Sequence, residues 1–130
     1  GEITTSGTGS AGIYGITNST IENSGNITTE ETGSAGIYAD NSDVTNETTG
    51  KITSKKGSSA GIYSISTSAK NVKNKGTIEV GVASSTETQN VGIYAEGNVN
   101  IINNGKITVG NTTDPNNAGV GIWKHKYSYK

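Results

Sequence analysis

The sequence predicts an all-β fold, a right-handed parallel β-helix (β-solenoid) of about four to five coils with three short strands per coil. Three observations carry that prediction: a motif that recurs every 24 to 31 residues, an apolar set that is almost wholly β-branched, and short runs bounded by Gly, Asn and Ser. The 130 residues contain no Leu, Phe, Met, Cys or Arg, whereas Ile and Val together number 23. β-Branched side chains suit a pleated surface and lose rotamer freedom in a helix, so helix is not expected. Net charge is only −1, so self-repulsion does not hold the chain open.

The first segment of each unit is Gly-Ile-Tyr, at Gly12, Gly36, Gly61 and Gly92, with a fifth copy in Gly121-Ile122-Trp123. A second segment follows the first four copies: Ile21-Glu22-Asn23, Val44-Thr45-Asn46, Val72-Lys73-Asn74 and Ile101-Ile102-Asn103. The third segment is Gly, a polar residue and Ile, beginning at Gly25, Gly50, Gly76 and Gly105. Gly1-Glu2-Ile3 fits it too, so the chain is expected to begin in mid-repeat. One unit is too short for three strands to bury a core alone. Stacked turns at the strand spacing of about 4.8 Å solve this by pairing each backbone group with the turn above or below. The tighter six-residue rhythm of a left-handed helix is absent. The repeat domain is therefore 1–123, with coils starting near 12, 36, 61, 92 and 121, and the basic stretch 124–130 reads as a cap or tail.

Strict alternation assigns the faces. Ala11 and Ile13 are expected inward and Gly12 and Tyr14 outward, with Gly15, Ala39, Ser64 and Ala95 as small inward residues. Ile27 and Thr29 are expected inward in the third segment, as Val80 and Val109 at the latter position imply. Asn23, Asn46, Asn74 and Asn103 are expected at a turn, in left-handed backbone, with their amides bonded from coil to coil as a ladder. Asn46 stands four residues before its Gly instead of two, which predicts a bulge or longer turn. Five-residue insertions between Val80 and Val91 and between Val109 and Val120 are expected to project from one corner.

Candidate functional residues are few. The outward Tyr14, Tyr38, Tyr63, Tyr94 and Trp123 would form a flat aromatic stripe fit for a glycan or a protein. The competing reading is structural, with the rings stacked on each other for about 0.5–1.5 kcal/mol per pair. Catalysis in a β-helix needs converging carboxylates or a base beside a substrate acid. Asp40, Asp43 and Asp114 and eight scattered Glu do not supply this, and His125 stands alone in the basic segment. No enzyme, catalytic residue, cofactor or metal site is expected; Asp40 and Asp43 share a turn that reads as solvated, without the Gly-Asp nonapeptide of calcium-binding rolls. Outward Thr4, Thr28, Thr53 and Thr108 would form a column of the ice-binding kind, but Glu79 and the adjacent Glu2, Lys51 and Lys106 spoil its regularity. Lys is dispersed among Glu, which argues against nucleic acid, and no window approaches the roughly 20 apolar residues of a membrane span. Asn18, Asn26, Asn46 and Asn111 begin glycosylation sequons of the sort that an Asn- and Thr-rich chain generates by chance.

The run Gly92-Ile93-Tyr94-Ala95, then Ile101 with Asn103, then Asn104-Gly105-Lys106-Ile107-Thr108-Val109-Gly110 resembles the repeats of large fusobacterial autotransporter adhesins. The resemblance covers residues 1 to about 123. It implies an exported passenger, a long β-helix carried to the bacterial cell surface by a C-terminal barrel, with a host or bacterial glycan or protein receptor as partner. These 130 residues contain no barrel, so only the passenger carries over. A rival expectation is a self-assembling extracellular filament, because uncapped coil ends are open β-edges that invite end-to-end stacking. A polysaccharide-acting β-helix enzyme is the third.

Overall fold

A computed structural model describes residues 1–81, 90–110 and 119–126. The centres of both insertions, Asn111, Asp114, Tyr127 and Tyr129 lie outside the described residues. Within them the chain folds into twelve strands and no helix.

After β1 (Glu2–Thr5), one turn of the solenoid is β2 (Ala11–Ile16), β3 (Thr20–Asn23) and β4 (Asn26–Thr29). The next is β5 (Ala35–Asp40), β6 (Asp43–Asn46) and β7 (Lys51–Ser54). In the third and fourth turns the first two segments run together as β8 (Ala60–Asn74) and β10 (Val91–Asn103), followed by β9 (Thr77–Val80) and β11 (Lys106–Val109). β12 (Val120–His125) opens the last coil and continues past Trp123, pairing Lys124 with Ala95 and His125 with Glu96. All pairings are parallel. Third segments form one sheet, β1-β4-β7-β9-β11, and first segments form another, β2-β5-β8-β10-β12, with β3 and β6 joining the second halves of β8 and β10. The chain is thus the parallel β-helix of about four turns that its repeat predicts.

The core is three columns of like residues. Ile27, Ile52 and Ile78 are fully buried in one, Ile37, Ile62 and Ile93 in the next, and Val44 and Val72 in the third. Register sets each directly over its equivalent, as in Ile27↔Ile52↔Ile78. Each such side chain contributes about 1.5–3 kcal/mol by leaving water. Thr29, Ser54 and Val80 are inward as the pattern requires, and so are Ala39, Ser64 and Ala95. Ser64 is fully buried and its Oγ has no hydrogen-bond partner. Ser64→Ala, which copies its neighbours Ala39 and Ala95 in register, is expected to stabilise the fold by about 1 kcal/mol in urea denaturation, since it removes an unpaid desolvation.

The face expected of Gly12 is reversed. A Cβ built on Gly12 would strike the Ile27 side chain across the core, and one on Gly36 would strike Ile52, so these glycines face inward. The Ile that follows is also inward: Ile37 and Ile62 are fully buried. Two consecutive inward residues break the alternation and kink the strand. The glycine is required because the facing Ile leaves no room for even a methyl group.

The Asn ladder forms. Asn23 Nδ2 donates to Asn46 Oδ1, Asn46 to Asn74, and Asn74 to Asn103, each at 2.9 Å. The same amides also donate to the carbonyls of Gly25, Gly50 and Gly76, which closes the corner into the third segment. Left-handed backbone was expected here, but it falls instead at the preceding corner, on Thr17, Asn18 and Asn41. The ladder Asn sit at strand ends in extended backbone, where the amide can reach both the next coil and its own turn. The longer turn after Asn46 is present, closed by Gly50 N–H donating to the Glu47 carbonyl at 2.8 Å.

Candidate binding groove

The kink at Gly-Ile has a consequence on the outer surface. It places Ala11 and the buried Ala35, Ala60 and Val91 at the bottom of a groove of about 990 Å³ whose one wall is the aromatic column. The other wall is the corner that leads in from the third segment, with Gly9, Gly33 and Ser58 in positive-φ backbone and Ser10, Ser34 and Ser59 beside them. The stripe is therefore not flat. Ala and Ser, not Gly, flank the rings.

The serines are a second ladder, missed in the sequence reading. Ser10 N–H donates to Ser34 Oγ at 3.3 Å and Ser34 N–H to Ser59 Oγ at 3.2 Å, while Ser59 Oγ donates to the Gly57 carbonyl at 3.1 Å. These hydroxyls bond backbone N–H groups where the chain turns into the kink. The signal was available: the motif is Ser-Ala-Gly-Ile-Tyr in three copies, with Asn90-Val91 replacing Ser-Ala in the fourth.

Tyr14, Tyr38, Tyr63 and Tyr94 stack with ring centroids 4.8–4.9 Å apart and planes within 13–18° of parallel. Trp123 ends the row edge-on to Tyr94 at 5.5 Å and 71°. Each inner ring is thus covered by a neighbour on both faces, and the groove sees ring edges. Burial raises the Tyr38 hydroxyl above its ordinary 10.0, helped by Tyr63, Tyr14, Asp40 and Glu96; burial and Glu96 do the same to Tyr94. Folded-state values above the unfolded one mean stability that is complete below pH ~10 and is lost as pH climbs through the raised values. Tyrosinate absorbance in the folded chain is expected to lag that in urea, and coincident curves would contradict the stacked column.

The remaining candidate residues are dispersed. Asp40 Oδ1 accepts from Asn41 Nδ2 at 3.0 Å and Asp43 Oδ1 from Asn71 N–H at 2.8 Å, so neighbouring groups engage both carboxylates. Thr4, Thr28 and Thr53 do form a column, which Glu79 continues, and Lys51 pairs with Glu79 at 3.5 Å. His125 lies 3.5 Å from Glu96. Asn46, one of the sequon residues, is fully buried in the ladder and inaccessible to modification. Among the described residues no group of three or more His, Cys, Asp or Glu is placed to hold a metal, and no helix is long and apolar enough to cross a membrane.

Residues 30–128 match the family of the BigA third pectate lyase-like domain. The chain belongs to this family. Pectate lyase-like domains are β-helices, in agreement with the parallel coils seen here. BigA is an autotransporter-type adhesin, so membership makes the chain an adhesin-like passenger β-helix. The match reaches from the second coil into the last and leaves out β1 to β4. No curated protein and no solved structure matches the chain.

Proposed function

We propose that this chain is a rigid, non-catalytic stalk segment of an autotransporter adhesin at the bacterial cell surface, holding a binding surface away from the membrane. The observation that carries this reading is the in-register stacking of three columns over four turns, bound by side-chain ladders at the corners. Such a rod resists bending because every coil is hydrogen-bonded to the next along its length. Family membership supports the adhesin setting. The repeat string from Gly92 to Gly110 supports a fusobacterial kinship within it. The groove flank is the surface we assign to contact with a glycan or protein receptor on host or partner cells.

Beads coated with the chain test this reading. They are expected to adhere to cells or to a glycan array, and Tyr63→Ala with Tyr94→Ala is expected to cut adhesion at least tenfold while circular dichroism stays unchanged. Adhesion untouched by the double variant would remove the aromatic column from the contact, and none with the wild-type chain would leave a spacer alone.

A second reading, the self-assembling filament, is favoured by the all-parallel in-register stacking itself, in which each coil pairs with the next through an open strand edge. Light scattering over a concentration series, with negative-stain microscopy, separates the two: a constant monomer mass supports the stalk, and filaments of uniform width support open-ended stacking.

A further inference from the structure

We propose that the tyrosine column is an oxidative cross-linking site, at which a haem peroxidase with hydrogen peroxide couples rings of successive coils into dityrosine. Tyr14, Tyr38, Tyr63 and Tyr94 are 24, 25 and 31 residues apart in the chain. Their ring centroids nevertheless stand 4.8–4.9 Å apart, with planes within 13–18° of parallel. Parallel rings on in-register strands place like atoms about one coil spacing apart, roughly 4.8 Å, ortho carbon against ortho carbon. Tyr14 is 60% exposed and the three inner rings are half-buried, so the column is open to an oxidant and its rings have room to turn towards each other. Trp123 stands at 71° to Tyr94 and lacks that alignment.

The chemistry follows from the phenol. Each ring loses an electron and its hydroxyl proton, which leaves a phenoxyl radical whose unpaired spin is shared among the oxygen and the ortho and para carbons. The para carbon already carries Cβ, so coupling falls on the ortho carbons. One C–C bond forms, and each ortho hydrogen moves to the phenol oxygen as its ring regains aromaticity. The two electrons and two protons released reduce one hydrogen peroxide to two waters, so the chain loses two hydrogen atoms per link. The stack preorganises the step, because radicals on neighbouring rings need not diffuse together. The chain has no Cys, so no disulfide can tie its coils. A dityrosine closes a loop of 24 to 31 residues and restricts the unfolded chain in the same way.

The unaltered chain, its monomer mass checked by light scattering, is treated with a haem peroxidase and hydrogen peroxide, cleaved after lysine and mapped by mass spectrometry. Tyr14 and Tyr38 fall in peptide 1–51, Tyr63 in 57–70, Tyr94 in 76–106, and Tyr127 and Tyr129 in 127–130. Loss of two hydrogens within 1–51, and links joining 57–70 to 76–106 or to 1–51, are expected. Their yield is expected to exceed that of links through 127–130 at least about tenfold, as held geometry favours the stacked pairs. Tyr63→Phe keeps a ring in the stack and removes its phenol. It is expected to abolish every link of 57–70 and to spare the loss within 1–51. Links mainly through 127–130 or between chains, or no links at all, would overturn the proposal. The inference rests on ring geometry and not on a receptor, so its failure leaves the stalk reading standing.

Discussion

Gly61→Ala is expected to destabilise the fold by at least about 1–3 kcal/mol, the range for overpacking a filled core. The added methyl group would press on the Ile78 side chain and lie 2.8 Å from the Gly92 carbonyl of the next coil. Ile78 is fully buried and the carbonyl belongs to a stacked strand, so relief requires separating two coils. The control is in the same column. A Cβ on Gly121 meets nothing within 4 Å, so Gly121→Ala is expected to stay within about 0.5 kcal/mol. Urea denaturation of the two variants decides between inward and outward glycine, because an outward column would make both substitutions mild.

Asn46→Ala is expected to cost more than any other ladder substitution. It takes the donor from the Asn74 Oδ1, leaves the Asn23 Nδ2 with only its bond to the Gly25 carbonyl and also removes the bond to the Gly50 carbonyl, in a corner where Asn46 and Asn74 are fully buried. Each stranded buried group costs about 1–3 kcal/mol. Asn103→Ala, at the exposed end of the ladder, removes only one acceptor from the Asn74 Nδ2, which keeps the Gly76 carbonyl, and is expected to cost correspondingly less. Thermal unfolding followed by circular dichroism gives the comparison, and equal losses at the two positions would mean that the corner is held by its backbone bonds instead.

Family membership and repeat geometry give the β-helix by separate routes, and membership alone supplies the adhesin-like character. The proposed binding role is more local. It depends on the groove, which exists because Gly and Ile face inward together and leave Ala11 and its equivalents at the groove's floor beside the rings.

The sequence by itself determined the period, the three segments per coil, the Ile and Val columns, the Asn ladder and the interruption of the Thr column at Glu79. It could do so because in a parallel in-register stack each residue's neighbour is its own equivalent one repeat away, and a one-dimensional pattern encodes that relation completely. Only the tertiary structure decided that Gly12 faces Ile27, that the aromatic stripe is the wall of a groove, that ring faces are hidden from it, and that left-handed backbone lies at Asn18 and Asn41 and not at the ladder. These features arise where different segments of one turn meet across the core or around a corner. Alternation assumes an unbroken strand, and the contact of a Gly with an Ile fifteen residues later is a distance that no periodicity carries.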